Sequence, residues 1–135
     1  MRCVEPIVSK DKPLAFIVRA DMSPEATTFV TPPDFEQQVG FIVYAAGGEI
    51  RRHSHRPVER HITRTSEVVF VRSGRCEIDI YDDDRSLVAT RELKPGDLVI
   101  AVAGGHGYRM LEDTVLLEVK QGPYDGKAKD KVVFG

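Results

Sequence analysis

Three of the four histidines, His53, His55 and His61, fall in one stretch, residues 47–74, GGEIRRHSHRPVERHITRTSEVVFVRSG. Residues two apart in an extended chain point to the same face, so His53 and His55 present two imidazoles to one point. Glu67 opens an apolar run in the same stretch, and the fourth histidine, His106, lies in Gly104-Gly105-His106-Gly107, just past a second apolar run. Imidazole is the commonest nitrogen ligand for metals, and a carboxylate is a frequent companion. His53, His55, Glu67 and His106 are therefore a candidate set for one divalent transition metal. Imidazole with carboxylate suits Fe, Mn, Ni, Zn or Co, and ligand type alone does not rank them. Four protein ligands on a metal able to take more leave positions for water or substrate, where the cation acts as a Lewis acid.

Other side chains near these positions bear on chemistry. Seven arginines, at 51, 52, 56, 60, 64, 72 and 75, fall between residues 51 and 75. A solvated rim accounts for most such runs, but guanidinium also binds phosphate or carboxylate in a bidentate fork, which points to an anionic small molecule. Arg51 shares its face with His53 and His55 and is the best placed of the seven to bind substrate. Tyr108 shares parity with His106, so it too is a substrate-binding candidate, either as a hydrogen-bond donor or as an acid. His61 is a reserve ligand or acid–base group.

These residues need strands to carry them. Leu14-Ala15-Phe16-Ile17-Val18 is an apolar run bounded by Pro13 and polar residues, so a strand is expected there. Ser23-Pro24-Glu25 has the form of a helix start, but Thr27, Thr28 and Pro32-Pro33 limit it to a single turn. Gly40-Phe41-Ile42-Val43-Tyr44-Ala45 is apolar on both faces, as in a central strand covered on each side. Gly47-Gly48 permits a bend before the histidine pair. The loop over residues 56–66 has no apolar periodicity and is long for a hairpin connection, which suggests a functional role.

Glu67-Val68-Val69-Phe70-Val71 is β-branched and aromatic, a strand. Cys76, Ile78 and Ile80 alternate with Glu77, Asp79 and Tyr81, the pattern of a strand with one buried face. Turns are expected at Ser73-Gly74-Arg75, at Asp82-Asp83-Asp84-Arg85 and at Lys94-Pro95-Gly96-Asp97. Strands follow over residues 87–93 and, buried, over 98–102 and 115–119. The glycines flanking His106 let backbone pass close to whatever that residue contacts. Val68 and Phe70 face away from the pocket and need cover from the N-terminal strands or from a second subunit. The tail, residues 122–135, is polar until Val132-Val133-Phe134, an apolar end able to dock on the body or on a neighbour. Short strands, Gly/Pro/Asp turns and almost no helical periodicity indicate an all-β sandwich or barrel.

The bulk numbers exclude several classes. A chain of 135 residues falls in the single-domain range and can bury a core. A net charge of -2 gives no general pull toward nucleic acid or an acidic membrane, and nothing resembles a reading helix. No run approaches the ~20 apolar residues of a membrane span. The first residues carry charges and prolines where a signal peptide needs an apolar stretch. Two cysteines, Cys3 and Cys76, read as free thiols in a reducing compartment. The expectation is a cytoplasmic protein.

The histidine stretch resembles the first cupin motif, G-x5-H-x-H-x3,4-E-x6-G. Gly47, His53 and His55 match its front half, and Glu67 and Gly74 its back half. Residues 96–110, GDLVIAVAGGHGYRM, resemble the second motif, G-x5-P-x-G-x2-H-x3-N. Eleven residues separate His55 from Glu67 where the motif has three or four. Val102 stands where proline is usual, Met110 where asparagine is usual, and the spacing before His106 is one residue short. Glu59, with three residues between it and His55, fits one clause of the first motif, and Glu67, with six between it and Gly74, fits the other. Glu67 shares its strand face with Val69 and Val71, where burial demands a partner such as a cation. Glu59 sits in a loop between valine and arginine, so Glu67 is the carboxylate chosen.

The resemblance implies one domain over residues 1–135: a cupin jelly-roll barrel with a core at about 38–122, added N-terminal strands in 1–37 and a tail from 123. It implies His53, His55, Glu67 and His106 as ligands of one metal, and it favours a homodimer. Residues 116–126, LLEVKQGPYDG, resemble the closing segment of cupin sugar-phosphate isomerases. The whole chain resembles small stand-alone cupins associated with surface-polysaccharide synthesis. The function this implies is a metal-dependent isomerase, epimerase or lyase acting on a sugar-like or other oxygenated, anionic small molecule. In that chemistry Glu67, His61 or Tyr108 moves the proton. An Fe(II) cupin dioxygenase and a non-catalytic sugar- or metabolite-binding cupin are the alternatives, since fold alone does not choose a chemistry.

Overall fold

A computed structural model describes residues 3–135. The architecture is all-β, with one short helical turn, α1 (Lys127–Asp130), near the C-terminus. A five-stranded antiparallel sheet has the order β1 (Val4–Ser9), β2 (Lys12–Val18), β8 (Leu98–Ala101), β5 (Glu67–Ser73), β10 (Val115–Lys120). A three-stranded sheet has the order β7 (Leu87–Leu93), β6 (Cys76–Tyr81), β9 (Gly105–Met110). Two short strands, β3 (Thr28–Phe29) and β4 (Gly40–Phe41), pair with each other in front of the larger sheet. Neither large sheet closes on itself, so the barrel anticipated from the sequence is an open sandwich.

The main core lies between the two large sheets. Alternation in β6 sends Cys76, Ile78 and Ile80 inward, and they meet Leu14 and Ile17 of β2, Val71 of β5, Leu93 of β7 and Val99 of β8. Each of these eight side chains is at most 2% exposed, so nearly the full transfer free energy of each is gained. A second apolar layer forms on the far face of the larger sheet. There Phe16, Val18, Val68 and Ile100 are covered by Met22, Val30, Phe35, Val39 and Phe41. The cover that Val68 requires thus comes from the chain between β2 and β5, while β1 and β2 extend the sheet itself.

The β5–β6 turn depends on Gly74. Its φ is +84°, and a Cβ there would stand 2.2 Å from the Asp113 carbonyl oxygen. No residue with a side chain fits that site without displacing backbone. The turn at residues 94–97 is closed by the Asp97 amide donating to the Lys94 carbonyl at 3.0 Å. The Ser23-Pro24-Glu25 segment forms no helical turn.

Two strand expectations are corrected. Of the apolar run Gly40–Ala45, only Gly40 and Phe41 pair, and Ile42 and Tyr44 are 53% and 59% exposed. No strand forms between residues 42 and 66, and residues 44–65 are exposed without interruption. Apolarity on two faces states what a strand needs covered, and among the described residues nothing covers Ile42 or Tyr44. Likewise β10 is no buried strand. It is the last strand of its sheet, and Val115, Leu117 and Val119 on its outer face are about half exposed.

Candidate functional site

Between the edge strands β9 and β10, the two sheets part to leave an open cleft of about 840 Å³. Glu67 and Val69 reach it from β5, His106 and Tyr108 from β9, Leu116 and Glu118 from β10, and the C-terminal tail forms a further wall. Strand alternation explains the selection: each pair is two apart and so shares a face.

Glu67 heads β5, opposite Lys120 of β10, and its residue is only 9% exposed. Burial, together with the facing Glu118 carboxylate, raises its carboxyl from the ordinary 4.5 to about 7. Glu118, which shares the proton with Glu67 and lies near Lys120 and Lys131, is held below its usual value. The pair therefore takes up its proton near neutral pH, with Glu67 the partner that favours it. His106 Nε2 lies 3.8 Å from Glu67 Oε2, too long for a hydrogen bond. Burial lowers the imidazole's proton affinity, which disfavours an ion pair with Glu67.

Tyr108 stacks edge-on against His106 with ring centroids 5.7 Å apart. Burial pushes its phenol above the ordinary value, first through desolvation and then through the Glu67 charge. Its hydroxyl is buried with no protein hydrogen-bond partner. Such an orphan carries a desolvation cost of roughly 1–3 kcal/mol, which a bound water or ligand oxygen relieves.

Gly104, with φ at +68°, keeps the start of β9 close to β6: a Cβ would lie 2.1 Å from the Tyr81 carbonyl oxygen. A Cβ on Gly105 would meet the Phe134 ring at 2.9 Å. The glycines before His106 thus admit the protein's own strand and tail. Phe134 packs edge-on against Tyr81 at 5.2 Å, with the Arg85 guanidinium 5.0 Å from its ring centre. Lys120 donates to Asp130 at 2.9 Å and ties α1 to β10. The tail docks through Phe134, while Val132 and Val133 stay 75% and 79% exposed.

The predicted site residues divide into two groups. Glu67, His106 and Tyr108 come together in the cleft. His53, His55 and Arg51 stand on the exposed segment 44–65, together with Glu59 and His61. On that segment the His53 and His55 rings lie 5.2 Å apart, edge to face. His53 Nδ1 donates to the Arg51 carbonyl at 2.7 Å, which leaves Nε2 as the lone-pair nitrogen of the neutral ring. Within one chain the four anticipated metal ligands form two pairs, and among the described residues no three His, Cys, Asp or Glu side chains are grouped to hold a cation. Arg75 belongs to neither group: it pairs with Glu92 and Glu112 and clamps β6. Cys76 is fully buried in the core.

Glu118 is the residue the sequence reading passed over. Its signal was present, a carboxylate at the same parity as Leu116 within an apolar strand. No family model, curated protein or solved structure matches the chain. Among the described residues no helix is long and apolar enough to cross a membrane.

Proposed function

We propose that the cleft binds a small oxygenated molecule and moves a proton on it, in an isomerase, epimerase or lyase reaction on a cupin-type fold. One observation carries this reading: a carboxyl raised to about 7 stands 3.8 Å from a neutral imidazole, beside a buried hydroxyl without a partner. A carboxyl poised near neutrality takes and returns protons at working pH. In its ionised form Glu67 removes a proton from carbon next to a carbonyl. Tyr108 donates its hydroxyl hydrogen to the enolate oxygen that develops. Returning the proton to the same or the neighbouring carbon completes an epimerisation or isomerisation, and no oxidant is needed. His106 is the second group able to hold or deliver a proton.

The cupin reading is supported by where its motif residues fall. Glu67 begins β5, Gly74 turns the chain into β6, Gly96 precedes β8 and His106 lies on β9. A divalent metal belongs to this proposal only once His53 and His55 reach His106 and Glu67, and no step above runs through one. The free thiols Cys3 and Cys76 accord with a reducing, cytoplasmic compartment.

The test is proton exchange. The protein is incubated in D2O with a panel of aldoses, ketoses, their phosphates and keto acids, and loss of C–H signal is followed by proton NMR. Exchange with at least one member, abolished by Glu67→Gln while binding persists, is the expected result. Binding without exchange in either protein transfers the cleft to the non-catalytic binding reading. Oxygen consumption on adding Fe(II) and a panel member transfers it to the dioxygenase reading.

A further inference from the structure

We propose that residues 42–64 of one chain pair with the open strand edges β9 and β10 of a second copy and lay their basic stretch across that copy's cleft. Three features of the molecule converge on this exchange.

The first is unpaired backbone on both sides. Residues 44–65 are exposed throughout, with Tyr44, Ile50 and Val58 each about 60% exposed, and none of their backbone is in a strand. Uncovered runs of this length are uncommon in compact domains. In the same chain β9 and β10 are the last strands of their sheets, each with one side unpaired. Exposed edges of this kind are templates for another strand. The outer face of β10 also leaves Val115, Leu117 and Val119 about half uncovered.

The second is charge. Residues 49–64 hold five arginines against two glutamates, a formal excess of three positive charges. The cleft is lined by Glu67, Asp82, Asp83, Glu118 and Asp130 against only Arg85 and Lys131. Lys12 and Lys120 match Asp83 and Asp130, which leaves Asp82, Glu118 and, once ionised, Glu67 against Arg85 and Lys131, so the lining becomes acidic as Glu67 ionises. Opposite fields steer such surfaces together.

The third is reach. The segment is held at both ends. The Val43 amide donates to Thr27 Oγ1 at 3.0 Å, and Ser66 exchanges hydrogen bonds with Gln121 at 3.0 and 2.8 Å. Twenty-two residues between those anchors have a contour of about 70 Å, against a radius of gyration of about 14 Å for a domain this size. Tied at both ends, such a loop extends up to about 35 Å, enough to reach a neighbour, and a two-fold axis lets both copies exchange arms through identical contacts. The 22 exposed residues match the roughly 20–30 per side of a stable interface. The exchange brings His53, His55 and Arg51 of one chain to Glu67 and His106 of the other.

Isotope-mixed crosslinking tests this directly. A photo-crosslinking amino acid replaces Ile50 in one preparation and Val58 in another, both positions being exposed in the single chain. Equal amounts of ¹⁴N and ¹⁵N protein are unfolded together, refolded, irradiated and digested. The expected result is a dimer by light scattering, with links from the arm to peptides of β9 or β10, about half of them joining a light to a heavy peptide. Arg52→Glu, Arg56→Glu and Arg60→Glu together are expected to weaken the dimer about tenfold or more. A monomer, links confined to one isotope, or a dimer linked elsewhere would each overturn the proposal. The readout is pairing, so it is decided whether or not the cleft turns anything over.

Discussion

The two ends of the sandwich are finished in different ways. At one end, β1 and β7 are the edge strands, and the Arg91 guanidinium holds the Glu5 carboxylate at 2.8–3.1 Å to join them. Behind that seam Asp97 is buried at 4% and fully used. It accepts hydrogen bonds from the Ala20 amide at 2.8 Å, the Lys94 amide at 2.9 Å and the Arg19 guanidinium at 3.0 Å. At the other end, β9 and β10 stand apart, a buried hydroxyl lacks a partner among the described residues, and a carboxyl is raised to about 7. The closed end satisfies its polar groups from within the chain. The open end leaves its groups waiting, as expected where function is built at a cost to stability.

The largest effect belongs to the closed end. Asp97→Ala removes three acceptor interactions at once and leaves the Ala20 and Lys94 amides without this acceptor, while Arg19 keeps the Glu92 carbonyl at 2.7 Å. A loss of about 3 kcal/mol in urea unfolding is expected. A loss below about 1 kcal/mol would mean that Asp97 does not secure this end.

Glu67→Gln is expected to act in the opposite sense at the open end. The folded state holds the Glu67 proton to about pH 7, whereas the unfolded chain releases it near 4.5. Stability therefore falls as pH rises between those values and levels off above the upper one. Glutamine removes this dependence. In chelator-treated protein the variant should match the parent below pH 4.5 and gain about 2 kcal/mol by pH 8. A gain that is the same at every pH would remove Glu67 as the titrating group. Tyr108→Phe should add a smaller, pH-independent amount, about 1 kcal/mol, because it deletes the unpartnered hydroxyl. The same change should weaken binding of any ligand found in the proton-exchange screen. Destabilisation would mean that the hydroxyl already has a partner in solution.

The contrast between the ends also separates what could be read in the sequence. Period-two alternation located β6 correctly, because Cys76, Ile78 and Ile80 fill a core supplied by the same chain. The same rule put Tyr108 beside His106, and the ligand set added Glu67, which shares their cleft. Reading a continuous apolar run as a buried strand failed for residues 40–45 and for β10, where apolar residues stand exposed. A side chain's polarity states what it needs covered, and it does not state which molecule does the covering. Motif spacing likewise grouped His53 and His55 with His106, yet spacing carries no information about whether a segment folds back on its own sheet. Glu118 was missed because a lone carboxylate in an apolar strand reads as its solvent face until the partner strand, with Glu67 on it, is known.

The smallest effect is expected at the β1–β7 seam. Glu5 and Arg91 are about 40% exposed, so water screens the pair and replacing Glu5 with glutamine should cost at most about 1 kcal/mol. Its pH signature is the useful part. The Arg91 hydrogen bonds and charge hold the Glu5 carboxyl below 4.5. The stability it contributes is therefore complete above that value and is lost as pH falls through the lower, folded-state value. Acid loosens the closed end while alkali burdens the open one. Both glutamine variants should thus match the parent in acid and depart from it in opposite directions as pH rises, Glu5→Gln to lower stability and Glu67→Gln to higher. If both variants departed from the parent with the same sign, the two carboxyls would not sit in contrasting environments, and the division of the molecule into a closed and an open end would fail.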